Sequence, residues 1–438
     1  MDKTERGYMG KKVALHNLGC KVNAYETEAM QEMLERAGYT IVPFKEGADV
    51  YVINTCTVTN IADRKSRQML HRARKMNPEA IVVAAGCYVQ AQAEHGEIDE
   101  CIDIVIGNNK KKDLIPLLEQ YFQKREKENA VIDINHTKEY EELHLSKTGE
   151  HTRAYIKVQD GCNQFCTYCI IPYARGRVRS RSLESVLEEV RNLAAHGYRE
   201  VVLTGIHLSS YGIDLKDTDL LRLILEVHEI EGIERIRLGS LEPRIITEEF
   251  ARTIAALPKM CPHFHLSLQS GCNATLRRMN RRYSAEEYFE KCELLRKYFD
   301  NPALTTDVIV GFPGETEEEF EESRAFVDKV NFYETHIFKY SRREGTKAAV
   351  MKEQIPEQEK AKRSAVMIEM GQKKQADFEK SFAGKQVEVL VEEKVQVEGT
   401  EYWIGHTKEY MKVALQSENN LENQLLTITL NQDAKIIH

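Results

Sequence analysis

Three apolar runs near the start of the chain, VALHNLGC, DVYVINTC and AIVVAAGC, each end on a cysteine. Between them lie helix-patterned stretches, ETEAMQEMLERAG and residues 61–76. Apolar strands alternating with helices indicate parallel βαβ units in an open, doubly wound sheet, and with IDIVIGN as a further strand this unit is expected over residues 9–121. In such a sheet the C-terminal ends of neighbouring strands share one edge, where ligands sit. Cys20, Cys56 and Cys87 are therefore expected to converge there as ligands of one metal centre. The competing reading is three small core hydrophobes.

The alternation resumes downstream. RAYIKVQD, EVVLTGIHL, RIRLGSLEP, HFHLSLQSG, LTTDVIVGF and ETHIFKYS read as six strands, several of them separated by helices such as SLESVLEEVRNLAAHG. Six βα repeats are too few for a closed eight-stranded barrel, so an open, partial (β/α)6 barrel is expected over 148–378, with its site at the C-terminal strand ends. Residues 122–147, largely charged, read as a linker. The fold class is thus α/β, with a third unit, 381–438, whose runs QVEVLVEE, YWIGHTKEYMKVAL and LLTITLNQ suggest a small all-β barrel.

Behind RAYIKVQD comes GCNQFCTYC, with Cys162, Cys166 and Cys169 in one short loop. The charged opening of the chain carries no long apolar run and no segment approaches the ~20 apolar residues of a membrane span. The expectation is a cytoplasmic protein with no membrane partner, where disulfides are disfavoured. Structural zinc wants four protein ligands, and no second CxxC or CxxxH follows Cys169. Three closely spaced thiolates suit a four-iron cluster with one iron left open to bind a small chelating molecule. Phe165 and Tyr168, between the ligands, would shield it from water. Zinc remains the alternative on spacing alone.

GCNQFCTYCIIPYARGRVRSR strongly resembles the cysteine loop of radical S-adenosylmethionine (SAM) enzymes, specifically the methylthiotransferases, and the likeness extends over nearly the whole chain. The resemblance implies two 4Fe–4S clusters, one on Cys162, Cys166 and Cys169 that chelates SAM and cleaves it to a radical, and an auxiliary one on Cys20, Cys56 and Cys87 implicated in sulfur delivery. The chemistry is then borne by cofactors, and no catalytic side chain is assigned. LGCKVNAYETE is similar to the subgroup that adds a methylthio group to C2 of N6-threonylcarbamoyladenosine at position 37, next to the anticodon of tRNA. Enzymes acting on isopentenyladenosine carry a CQMN-type segment there, and those acting on a ribosomal-protein aspartate a CPKN-type one. The implied partners are a tRNA anticodon stem-loop with that nucleoside and an electron donor such as flavodoxin or ferredoxin. A rival from another class is an RNA-binding protein with purely structural clusters.

For SAM, the strand ends offer Thr204, Gly205, His207, Ser240, Glu242, Ser267, Gln269, Asp307, Gly311 and Gly314, with Glu315 beside them. Hydroxyls, amides and carboxylates suit its amino-acid and ribose parts, and glycine permits close approach. His207 could equally be structural. Cys101, Cys261, Cys272 and Cys292 lack matching partners and read as incidental. For RNA, the net charge of −8 carries no global signal. The last unit resembles a TRAM module, yet it holds five Lys/Arg against nine Asp/Glu, which repels phosphate overall. Tyr402, Trp403 and Tyr410 would stack on unpaired bases or fill the barrel core. The basic stretches 64–75, 174–181 and 277–282 are the candidates for phosphate contact, against a reading as solvated faces.

Overall fold

Strand alternation explains the first sheet. In the computed structural model, which describes residues 10–93, 96, 98–145, 152–397 and 399–438, the chain begins β1 (Lys12–Asn17), α1 (Lys21–Arg36), β2 (Thr40–Ile41), β3 (Val50–Thr55), α2 (Asn60–Met76), β4 (Ile81–Gly86), α3 (Cys87–Ala93), β5 (Ile104–Ile106), α4 (Leu114–Lys124) and β6 (Glu128–Ala130). The sheet runs β2-β1-β3-β4-β5-β6, all parallel. Val50, Val52, Ile81 and Val83 face one side with Met30, Leu34 and Leu114; Tyr51, Ile53, Val82 and Ala84 face the other with Leu70 and Ala73. Helices cover both faces, so every strand residue of β3 and β4 is buried.

Part of the charged segment expected as a linker belongs to this unit. Glu128–Ala130, just before its apolar patch, form β6, and Leu143 and Leu145 pack on Tyr25 and Ala29 of α1. A segment rich in charge conceals a short strand when only its backbone is needed for the sheet edge. The expected start at residue 9 and the expected boundary at 147/148 lie outside the described residues.

The second unit follows as β7 (Arg153–Asp160), α5 (Ile171–Arg175), β8 (Arg179–Ser180), α6 (Leu183–Ala195), β9 (Glu200–Gly205), α7 (Leu220–His228), β10 (Arg235–Leu238), α8 (Glu248–Ala255), β11 (His263–His265), α9 (Asn273–Arg278), α10 (Ala285–Tyr298), β12 (Ala303–Val310), α11 (Glu317–Val330), β13 (Glu334–Lys339) and α12 (Glu357–Lys380). The sheets β10-β9-β7-β8 and β11-β12-β13 are joined by single bridges such as Leu241–Leu266. The six expected strands thus form one open, partial barrel, with β8 added antiparallel at its edge.

Successive residues of a strand point to opposite faces. Ala154, Ile156, Val158, Val201, Leu203, Ile236 and Phe264 therefore face the helices and form the core. Their neighbours Arg153, Tyr155, Lys157, Glu200, Arg237, His263, His265 and Asp307 line the interior, which is strongly polar. Helix α1 of the first unit packs over this opening against β7 and β9.

The last strands, β14 (Gln386–Val397), β15 (Thr400–Thr407), β16 (Lys412–Leu415), β17 (Leu425–Thr429) and β18 (Ala434–Ile436), form an antiparallel sheet in the order β17-β14-β15-β16-β18, as expected of a TRAM-like unit. It stoppers the start of the barrel strands. Arg235 donates to the carbonyls of His406 and Glu388 at 2.9 and 2.8 Å. Tyr410 lies between Arg153 and Arg237, 5.0 and 4.6 Å from their guanidinium carbons. Trp403 is core. Trp403 and Tyr410 are thus engaged by the protein itself, and of the three aromatics proposed for base stacking only Tyr402 lies outside core and stopper. Among the described residues, no helix is long and apolar enough to cross a membrane.

Candidate metal centres and cofactor site

Cys20, Cys56 and Cys87 follow β1, β3 and β4, which are adjacent in the sheet, so the three turns meet at one edge. Asn23 ties two of them together: its amide donates to the carbonyl of Leu18 at 2.7 Å and to that of Thr55 at 3.0 Å. Gly19 makes the approach possible. It sits at φ +109°, and a Cβ there would come within 2.9 Å of the Cys56 side chain. Ser66 of α2 holds the Cys56 backbone from behind, accepting from its N–H and donating to its carbonyl. Burial pushes the Cys56 thiol up to about 11, and the charges of Cys87 and Cys20 add to this. Burial likewise raises Cys20, with the charge of Cys87 adding and Arg175 opposing. Cys20 is nevertheless reached by solvent.

The second trio sits in the loop between β7 and α5. Gly161, at φ +71°, turns the strand into this loop, and a Cβ there would collide with the Arg177 carbonyl oxygen. The loop is pinned by Cys162 N–H to the Gly176 carbonyl (3.0 Å), Cys169 N–H to the Cys166 carbonyl (3.0 Å) and Thr167 N–H to the Met279 carbonyl (3.1 Å). Phe165 takes a left-handed φ of 50° and stacks under Arg177 at 4.4 Å. Tyr168 packs beside Phe312 and Met279. Burial raises Cys162 to about 11 and Cys169 further.

Both trios fit a cluster better than a single ion. Zn–S bonds of about 2.3 Å would draw the sulfurs to within about 4 Å of one another. Among the described residues neither trio closes to within 4.8 Å, whereas His71, Asp99 and Cys101, or His265, Asp307 and His336, do. A cubane takes one thiolate per iron and spreads them. Hydrogen-bond donors also wait on the sulfurs: Arg175 Nε is 3.1 Å and Asn108 Nδ2 3.4 Å from Cys87 Sγ, and Arg281 Nη1 is 3.2 Å from Cys166 Sγ. Such outer donors are typical of tuned metal–thiolate sites.

Arg175 is the residue that joins the two trios, and sequence reading missed it. It is the last residue of α5, six positions after Cys169, is fully buried, and reaches into the first unit. Its guanidinium donates to Glu26 at 2.9 and 3.0 Å, to Asp160 at 3.1 Å and to Asn23 at 2.8 Å, besides Cys87. Lys157 and Lys111 complete the ion cluster on Glu26 at 2.8 and 3.1 Å. Burial by itself would raise Glu26; the charges of Arg175, Lys111 and Lys157 outweigh it and hold the carboxyl well below the usual range. Buried Arg175, Lys157, Lys111 and Arg179 face Glu26, Asp160 and Glu141. Cations are in excess, which a thiolate-bound, anionic cluster beside Cys87 would offset.

The basic stretch 174–181, expected to meet phosphate, is therefore corrected. Arg175, Arg179 and Arg181 are fully buried and Arg177 alone is exposed. A run of arginines carries no mark of burial; only the carboxylates it meets in the fold, Glu26, Asp160, Glu142 and Glu189, reveal it. Stretch 277–282 is divided: Arg278 pairs with Glu319 and Arg281 with Cys166, while Arg277 and Arg282 are exposed. On α2, by contrast, Arg64, Lys65, Arg67, Arg72 and Lys75 are all exposed.

The residues expected to grip SAM lie on the C-terminal side of the barrel strands, with unequal freedom. His207 is held through its backbone N–H by Gln159 Oε1 (2.7 Å) and through Nδ1 by Ser210 (2.7 Å), which leaves Nε2 buried and unpartnered. Burial, then Arg281 and Arg244, lower it to about 4, so it is neutral. Gly205 lies against Gln159, and Thr204 is buried under Gly239. Ser240 is exposed. Glu242 accepts from Arg244 at 2.7 Å. The Ser267 carbonyl accepts from Arg281 and Tyr283, and Gln269 (φ +71°) bridges β12 through its backbone. Asp307 is 3.3 Å from His265 Nε2. Gly311 and Gly314 belong to a turn occupied by protein: Gly311 N–H donates to Glu315 (2.7 Å) and faces Lys360 of α12, while Gly314 faces Arg278 and Glu353. Glu315 itself pairs with Arg363 at 2.8 Å. Among the remaining cysteines, Cys261, Cys272 and Cys292 are buried singly.

An open barrel whose first strand delivers three thiols to its mouth is the architecture of radical SAM enzymes. The radical SAM superfamily model matches residues 156–327, and a second model, described as uncharacterized protein family UPF0004, matches residues 12–107. Curated relatives span almost the whole chain. The threonylcarbamoyladenosine tRNA methylthiotransferase MtaB of Bacillus subtilis is 40% identical over 95% of this chain and 93% of its own, and that of Aquifex aeolicus is 44% identical over 87% and 92%. The tRNA-2-methylthio-N(6)-dimethylallyladenosine synthase of Carboxydothermus hydrogenoformans is 34% identical over 96% of each. Among solved structures, the radical SAM methyltransferase TsrM of Kitasatospora setae shares the fold at a TM-score of 0.54 and 19% identity, over 78% of this chain and 77% of that one. The chain belongs to the radical SAM methylthiotransferase family, and its cofactors are SAM and 4Fe–4S clusters.

Proposed function

We propose that this enzyme adds a methylthio group to C2 of N6-threonylcarbamoyladenosine at position 37 of tRNA. The observation that carries the reading is the pair of three-thiol sets on either side of α5, each short of a fourth protein ligand, in a chain most similar among the relatives cited to two threonylcarbamoyladenosine enzymes. Cys162, Cys166 and Cys169 hold the cluster that binds SAM, and Cys20, Cys56 and Cys87 hold the auxiliary one. When bound, these groups supply the radical and methylthio chemistry that no side chain provides. The protein's part is to hold and insulate them: Asn23 and Gly19 set the first trio, Gly161 and Thr167 the second, and the unpartnered Nε2 of His207 offers SAM a hydrogen-bonding nitrogen. The exposed basic face of α2 is the surface for the tRNA backbone, and flavodoxin or ferredoxin in the cytoplasm is the class of electron donor.

Nucleosides from tRNA of a deletion strain test this. The 2-methylthio derivative of threonylcarbamoyladenosine should vanish while the unmodified nucleoside accumulates. Loss of the dimethylallyl derivative instead would establish the activity named for the Carboxydothermus relative, and an unchanged tRNA with a lighter ribosomal protein would overturn the substrate class.

Arg281 offers a test of the second cluster that does not depend on turnover. A buried cation donating to a cluster thiolate favours the reduced, more negative state. Arg281→Met should therefore lower the midpoint potential of one cluster in an EPR-monitored redox titration, leaving the other unchanged. A potential that stays put or rises contradicts the assignment.

A further inference from the structure

Lys21 is the first residue of α1, directly after Cys20. Helix α1 packs against β7 and β9 over the opening of the partial barrel, and Lys21 stands in its first turn within the field of the interior charges. The charges that reach it come from Arg237, Arg153 and Glu200, on the inner faces of β10, β7 and β9, and it acts in turn on His263 of β11. Among the described residues, its ammonium has neither a hydrogen-bond nor an ion-pair partner, and it is open to solvent within this concavity.

The carboxylate within reach does not serve it. Glu200 is fully buried and already accepts from Arg153 at 2.5 Å and from Arg237 at 2.9 Å, with Arg235 3.7 Å away. The C-terminal unit takes up the rest of that group, pairing Glu392 with Arg153 and Glu388 with Arg235. Of the carboxylates around Lys21, Glu200, Glu388 and Glu392 are thus committed to arginines, while Glu28, two turns along α1, faces Tyr155 and is not among the charges that reach Lys21. An unpaired ammonium in such a site is a standing demand for an anion, because the surrounding cations add to its field and the concave wall limits screening.

We propose that Lys21 receives the carboxylate of the substrate's N6-threonylcarbamoyl group inside the barrel, and so selects an anionic N6 substituent over a neutral one. The assignment rests on the reading of the substrate given above and goes beyond it by naming the group that discriminates. The threonyl moiety carries a free carboxylate, and the dimethylallyl group of the alternative nucleoside carries no charge at all. A neutral substituent would leave Lys21 unpaired on closing the complex, which is costly for a charge removed from water.

The test compares anticodon stem-loops whose N6 group ends in the threonyl carboxylate, in the corresponding carboxamide, or in dimethylallyl. Reconstituted wild-type enzyme should favour carboxylate over carboxamide by about tenfold to a hundredfold in kcat/KM, the range of one charge-assisted hydrogen bond. Lys21→Gln should bring that ratio close to one, mainly through KM, and Lys21→Arg should restore most of it. Equal use of carboxylate and carboxamide by wild type, or a ratio unchanged in Lys21→Gln, overturns the assignment of Lys21 and leaves the substrate reading intact. Wild type that acts only on the dimethylallyl stem-loop defeats the substrate reading, and the assignment with it.

Discussion

Cys56→Ala should lower the iron of anaerobically reconstituted protein from about eight atoms per chain to about four, with sulfide falling in step. Cys56 is buried at the centre of the first trio, between the turn carrying Cys20 and the strand leading to Cys87, and its neighbours have no other thiol to recruit among the described residues. The second trio lies beyond α5, on a loop pinned by its own backbone bonds. The variant should therefore still bind SAM and, given dithionite, still release 5′-deoxyadenosine, while methylthio transfer to tRNA disappears. Iron that remains near eight would show that Cys56 is a core residue and that the first trio is no ligand set. Iron near zero would show that the two centres assemble only together.

Arg175→Met should loosen the junction between the two units, at a cost of about 3–5 kcal/mol, because it breaks a buried pairing in which one guanidinium donates to both Glu26 and Asp160 and leaves those carboxylate oxygens without their donor. That corresponds to a fall of roughly 10 °C in the melting temperature of the affected region. The same network sets an acid limit. The Glu26 carboxyl is held well below its ordinary value, so its contribution is complete above about pH 4.3, its value in the unfolded chain, and is lost only as pH falls further toward the depressed native value. Wild type should keep its melting temperature down to that point and then lose it steeply, whereas the variant should start lower. A double variant, Arg175→Met with Glu26→Gln, should recover part of the loss. An unchanged melting temperature for the single variant would show that Lys157 and Lys111 suffice for the two carboxylates.

Cys162, Cys166 and Cys169 were legible as a candidate set because a CxxxCxxC loop after an apolar strand places three donors within eight residues of chain. Cys20, Cys56 and Cys87 were legible only through topology: each ends an apolar run, and parallel strands align their ends. Arg175, Arg179 and Arg181 were misread as an RNA-facing patch because burial of an arginine depends on carboxylates such as Glu26 and Glu189, distant in sequence. Trp403 and Tyr410 were similarly ambiguous, since an aromatic in a small β unit serves a core as readily as a surface. Gly311 and Gly314 looked available to a ligand, but their turn is filled by Lys360 and Glu315.

Local periodicity determined the α/β class, the six barrel strands, the antiparallel last unit and the position of Cys20, Cys56 and Cys87 at strand ends, because those properties follow from which residues face in and where strands end. Tertiary structure alone decided that α1 covers the barrel, that Arg175 links the trios, and that Lys21, unpaired among the described residues, stands beside a Glu200 already engaged by arginines. Charge pairing across units is a matter of distances in space, and the order of residues along a chain does not contain them.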